Sequence, residues 1–172
     1  MASKAWRDLS TRISELGLFQ ASEDDAPKCW SPTSEDLTTA MTVFAASVGS
    51  ISKTVTKLGI VAKSKPDAAA AASISAQLAS ECESLSSSMT VAAHYGAGAP
   101  LQQMCGRNAN RILSAAKQLA VTCEEGRWDD VPPATGVVWE ACETVPKLPK
   151  TNKAAYRRKM LGFCVELKVR MF

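Results

Sequence analysis

At 172 residues, 46% of them hydrophobic and 22% charged, the chain suits one domain with an apolar core of its own. No apolar run reaches the ~18 residues of a membrane span, and the opening Met-Ala-Ser-Lys-Ala-Trp-Arg-Asp lacks the apolar stretch of a secretion signal, so a soluble, intracellular protein is expected. The net charge of +3 hides an asymmetry: from Lys147 onward eight basic residues (Lys147, Lys150, Lys153, Arg157, Arg158, Lys159, Lys168, Arg170) face Glu166 alone, a net +7, while the first 146 residues hold 12 basic against 16 acidic.

Trp6, Leu9, Ile13 and Leu16 recur at steps of three, four and three and end at Gly17, which predicts a short first helix within residues 1–19. Residues 20–32 are acidic, proline-bearing and without period, and read as a linker in which Trp30 is a packing anchor. The bundle is expected over 33–172. Thr33 stands three residues before Asp36, the spacing of a capping box, and opens the stretch that organises the chain. There Leu37, Met41, Phe44, Val48, Ile51, Val55, Leu58 and Ala62 put an apolar residue at every step of four and three for more than three heptads. A single apolar stripe cannot satisfy itself in water, so the remaining segments must supply helices that cover it.

Ser64-Lys65-Pro66-Asp67 stops that helix and starts another, whose stripe is Leu78, Cys82, Leu85, Met89 and Ala92 and which should run back antiparallel. After the turn Tyr95–Pro100, a third long helix carries Cys105, Ala109, Ile112, Ala116, Leu119 and Cys123 and closes before Gly126. Its small seam residues favour close helix approach. Gly126–Gly136, with adjacent prolines, reads as a polar loop, and a short helix over 137–145 should put Val138, Cys142 and Val145 on one face. Pro146-Lys-Leu-Pro149 is a stiff connector into a last helix, capped by Thr151 or Asn152, along which Tyr156, Met160, Phe163, Leu167 and Met171 share a side. The expected fold is therefore all-α, an antiparallel bundle of four to five helices plus the short N-terminal one.

Chemistry-bearing constellations are few. The six cysteines, at 29, 82, 105, 123, 142 and 164, include no C-x-x-C pair and mostly fall on apolar helical positions, so reduced core residues are expected rather than disulfides or a zinc site. His94 is the only histidine and sits at the end of the second long helix beside Tyr95 and Gly96, with no base-and-nucleophile arrangement around it. The pairs Glu124-Glu125 and Asp129-Asp130 and the run Glu23-Asp24-Asp25 lack calcium-loop spacing, and Gly96-Ala-Gly98 is a turn rather than a phosphate cradle. No catalytic residue, cofactor or metal ligand is therefore assigned, and the expected class is a non-enzymatic interaction protein. A helical adaptor or cytoskeletal linker module of the vinculin or talin kind fits the bundle as well.

Trp139-Glu-Ala-Cys-Glu-Thr-Val-Pro146-Lys-Leu-Pro149-Lys-Thr-Asn152-Lys-Ala-Ala155 resembles the corresponding stretch of the cyclin-D-binding proteins, also called the Grap/cyclin-D-interacting proteins, with a Pro-x-[Ile/Leu]-Pro connector before an Asn-Lys-Ala-Ala helix start. Weaker similarity runs through Leu101-Gln-Gln-Met-Cys-Gly-Arg and Leu37–Phe44, and the chain corresponds to the N-terminal half of a family member. The resemblance implies an all-helical regulator of cytoplasm and nucleus that binds D-type cyclins and dampens cell-cycle progression and transcription. The segment from Val145 to Leu167 is also similar to a helix-loop-helix element of the class without a basic DNA-reading region, since Trp128-Asp-Asp-Val-Pro-Pro precedes it. The implied partners are proteins, D-type cyclins or helix-loop-helix factors, met as monomer or heterodimer, with no direct nucleic-acid or membrane contact. Leu148 and Phe163 are the candidate apolar contacts, with Lys147, Lys150, Lys153, Arg157 and Arg158 as the charged rim. An internal hairpin of the bundle suits the same residues, and exposure separates the two readings.

Overall fold

The computed structural model describes residues 2–17, 19–20 and 35–170. Most of the proposed linker with Trp30, Cys29, the Thr33 cap and Met171 lie outside the described residues. Among those described there are six α-helices and no strand: α1 (Ala2–Glu15), α2 (Glu35–Val61), α3 (Ala68–His94), α4 (Ala99–Glu124), α5 (Val131–Glu143) and α6 (Asn152–Arg170). Short 3-10 turns lie at Ala62–Ser64, Trp128–Asp130 and Val145–Lys147.

The seam of α2 forms as its spacing predicts. Leu37, Met41, Phe44, Val48, Ile51, Val55, Leu58 and Ala62 are all buried, and full burial of a Val, Leu, Ile or Phe side chain contributes roughly 1.5–3 kcal/mol each. Lys65, held at φ 52°, turns the chain, and Asp67 caps α3 by accepting a hydrogen bond from Ala70 N at 2.7 Å. α3 then runs back antiparallel, with Ser47 bonded to Ser84 and Thr54 to Glu81, each at 2.8 Å. The stripes of α3 and α4 are buried throughout.

Helices α2, α3, α1, α4 and α5 follow one another around the core, with α5 returning to α2 and with α3 touching α4 across the middle. α1 enters through Trp6, Leu9 and Ile13, all buried between α3 and α4, and ends where Gly17 takes φ 68°. The chain then crosses α4. The Phe19 ring lies over Gly106, where an added Cβ would come within 2.4 Å of it, and Asn110 brackets the Phe19 backbone through 2.8 and 3.0 Å hydrogen bonds.

Two expectations need correction. α5 begins at Val131, not at Val137, and Pro132 and Pro133 occupy its first turn rather than a loop. The first-turn amides have no partner within a helix, so proline costs nothing there and its fixed φ suits the start. The second concerns Cys164, on α6. Only the opening of that helix is packed, through Asn152 and Ala155 and against α4, while Met160, Phe163 and Leu167 face solvent instead of a bundle neighbour. Cys164, expected in the core, is exposed for the same reason, whereas Cys82, Cys105, Cys123 and Cys142 are buried free thiols.

Candidate partner-binding surface

The connector between α5 and α6 is anchored before it turns. Thr144 donates its hydroxyl to Asn108 Oδ1 on α4 at 2.5 Å. Val145 is buried, and Pro146 sits in the 3-10 turn that follows. Leu148 takes φ −74° and ψ 149°, the extended conformation that a following proline imposes, and its side chain packs half-buried against the core. The internal-hairpin reading thus holds for Val145 and Leu148, and it ends at the first turn of α6.

Asn152 fixes that turn. It is fully buried, accepts a hydrogen bond from Gly98 N at 2.7 Å and donates one to Gly96 O at 2.8 Å. The amide therefore satisfies one orphan donor and one carbonyl at the junction of α3 and α4, while Thr151 Oγ1 takes the capping role by accepting from Ala154 N at 3.2 Å. Gly98 lies so close that a Cβ there would stand 3.3 Å from Asn152 Oδ1 and 3.4 Å from the Tyr156 ring. Arg158 reaches back from the next turn and donates to Lys147 O at 3.0 Å. The helix is thus tied to its own connector.

Past Arg158, every described side chain of α6 but that of Lys159 is exposed. Lys153, Tyr156, Arg157, Met160, Leu161 and Cys164 lie along one open face of α6, and Lys159 Nζ stands 5.9 Å from the centroid of Phe163. Lys147, Lys150, Lys153, Arg157 and Arg158 are exposed, and no ion pair engages them among the described residues; several arginines of the bundle differ, Arg7 pairing with Glu124, Arg111 with Glu140, and Arg127 with Glu125 and Asp130. The structure thus gathers Lys153, Arg157, Arg158 and Phe163 on one projecting helix, sets Lys147 and Lys150 at its base, and turns Leu148 inward. Sequence reasoning missed Leu161, Val165 and Val169, which are also exposed on α6. The signal was there in a density of apolar residues from 160 to 169 too high for one stripe.

Elsewhere, His94 makes an edge-on contact with Tyr95 at 5.5 Å. Among the described residues no group of three or more His, Cys, Asp or Glu side chains is placed to hold a metal ion, and no helix is long and apolar enough to cross a membrane.

No curated protein and no solved structure matches the chain. A family model does, over residues 44–168, a span from the second turn of the α2 seam to the exposed end of α6 that takes in the Asn152 clamp, and its description is "Grap2 and cyclin-D-interacting, N-terminal". With well over half its length matched, the chain belongs to the Grap2 and cyclin-D-interacting family.

Proposed function

We propose that this chain is a non-enzymatic regulator that binds D-type cyclins or helix-loop-helix factors through α6 and its connector, acting in cytoplasm and nucleus to restrain cell-cycle progression and transcription. Family membership supports cyclin-D interaction. The observation that carries the rest is α6 itself, clamped at its root by Asn152 and then exposing apolar side chains beside unpaired cations. Phe163 supplies the apolar contact at the centre of the surface. Lys147, Lys150, Lys153, Arg157 and Arg158 form the rim, and Leu148 supports it from beneath.

Exposed rim charges act over about a Debye length, ~8 Å at physiological salt, and chiefly set the association rate. Reversing Arg157 and Arg158 to glutamate should therefore slow association with a D-type cyclin and flatten its salt dependence in stopped-flow or surface-binding kinetics. Phe163→Ala should speed dissociation. Unchanged rates for both variants, with the fold intact by circular dichroism, would place the partner surface elsewhere.

A further inference from the structure

α6 is apolar on two sides, which decides what kind of partner can cover it. At ~100° per residue, Tyr156, Met160, Phe163 and Leu167 form one ridge and Leu161, Val165 and Val169 a second on roughly the opposite face. Met160 is 61% exposed, Phe163 48%, Leu161 67%, Val165 63%, Leu167 61% and Val169 74%. A partner with a single groove covers the first ridge and leaves the second in water. Burying both requires one that closes around the helix.

Charge narrows the choice. Lys153, Arg157 and Lys168 fill the seam between the ridges, and the helix holds six basic residues against Glu166. A second copy of this chain would bring like charge against like charge along the contact. A lipid surface reaches one side only, and a nucleic acid offers phosphates but nothing for two apolar ridges. The free stretch from Arg157 to Val169 spans ~20 Å, enough to be held from both sides.

We infer that α6 is gripped by an acidic, two-lobed helical protein of the calcium-sensor class, whose Ca²⁺-opened, methionine-rich grooves accept apolar anchors at i, i+4 and i+7 on a basic helix. The inference rests on the reading of α6 as the partner surface and adds a further class of partner to those proposed above. Each lobe takes one ridge, with acidic rims meeting Lys153, Arg157, Lys159 and Lys168.

The test is calorimetric titration of the whole chain with calmodulin, in Ca²⁺ and again in EGTA. A 1:1 complex that forms only in Ca²⁺ is expected. Phe163→Glu on one ridge and Val165→Glu on the other should each weaken it about 30-fold or more, the scale of a buried hot spot, and both side chains are exposed enough for the free protein's melting to stay unchanged. Absence of Ca²⁺-dependent binding overturns the inference, as does a complex sensitive to Phe163→Glu but indifferent to Val165→Glu. Sedimentation of the free chain as a dimer that Phe163→Glu dissolves makes a second copy the occupant and also overturns it. A D-type cyclin titrated against the same variants separates the two levels: cyclin binding lost on substitution while calmodulin fails to bind keeps α6 as the partner surface and removes only the calcium-sensor class.

Discussion

Replacing Asn152 by alanine removes both hydrogen bonds of the clamp at the root of α6 along with the close packing of the amide, and the hydrogen bonds set most of its cost. The amide of Gly98 loses its acceptor in a buried position and the carbonyl of Gly96 loses its donor in a partly buried one. A buried group left unsatisfied costs ~1–3 kcal/mol, and the partly buried carbonyl, which water can reach, sits nearer 1 kcal/mol. The sum is ~2–4 kcal/mol. At ~2–4 °C per kcal/mol for a chain of this size, melting should fall by roughly 4–16 °C. Urea unfolding followed by circular dichroism measures the free energy directly. Asn152→Asp keeps the acceptor for Gly98 N and turns a carboxylate oxygen toward the Gly96 carbonyl, so it should lose stability as well. A loss below ~0.5 kcal/mol for Asn152→Ala would mean that water replaces the amide and that the clamp does not hold α6.

Gly106→Ala should destabilise by ~1–3 kcal/mol, because its Cβ would fall 2.4 Å from the Phe19 ring and push that residue off the Asn110 bracket; in a Phe19→Ala background the same change should cost much less, which a double-mutant cycle in urea reads out. Burial pushes the thiols of Cys82, Cys105 and Cys123 up to about 12 and that of Cys142 to about 11. Among these and Cys164, iodoacetamide labelling followed by peptide mass spectrometry should therefore find Cys164 first in the native protein. The same shifts predict alkaline unfolding: a raised folded pKa gives stability that is complete below the ordinary thiol value of ~8.5 and is lost as pH rises from there toward 11–12, at ~1.4 kcal/mol per pH unit for each thiol. A flat stability profile between pH 9 and 11 would contradict the burial of these residues.

The α2 seam was legible because periodicity states which residues share a face, and in a bundle that face has only one place to go. The same rule left α6 open. Tyr156, Met160, Phe163 and Leu167 do share a side, but a period carries no information about what lies opposite, and here nothing among the described residues does. Pro132 and Pro133 read as a loop because proline breaks helix interiors; the start signal was Asp130 at the N-cap with proline just inside it, though the Asp130 side chain makes no cap hydrogen bond. Asn152 appeared within the family-like motif as a helix start. Its actual partners, Gly96 and Gly98, lie more than fifty residues away, and a bond between a side-chain amide and a distant backbone leaves no local pattern to find.

A helix held at one end behaves as a lever. Beyond Tyr156 the arm of α6 is ~20 Å long, so a tilt of about 10° at the root carries its tip ~3.5 Å sideways, farther than an apolar contact tolerates. The direction in which Phe163 and Val169 are offered to a partner is thus set in part by groups buried at the root: Asn152 with its bonds to Gly96 and Gly98, and the absent side chain of Gly98, whose Cβ would stand only 3.3 Å from Asn152 Oδ1. A methyl group added at Gly98 would press on Asn152 and Tyr156, asking them to give by a few tenths of an ångström, a strain placed at the root of the arm and away from any contact along it.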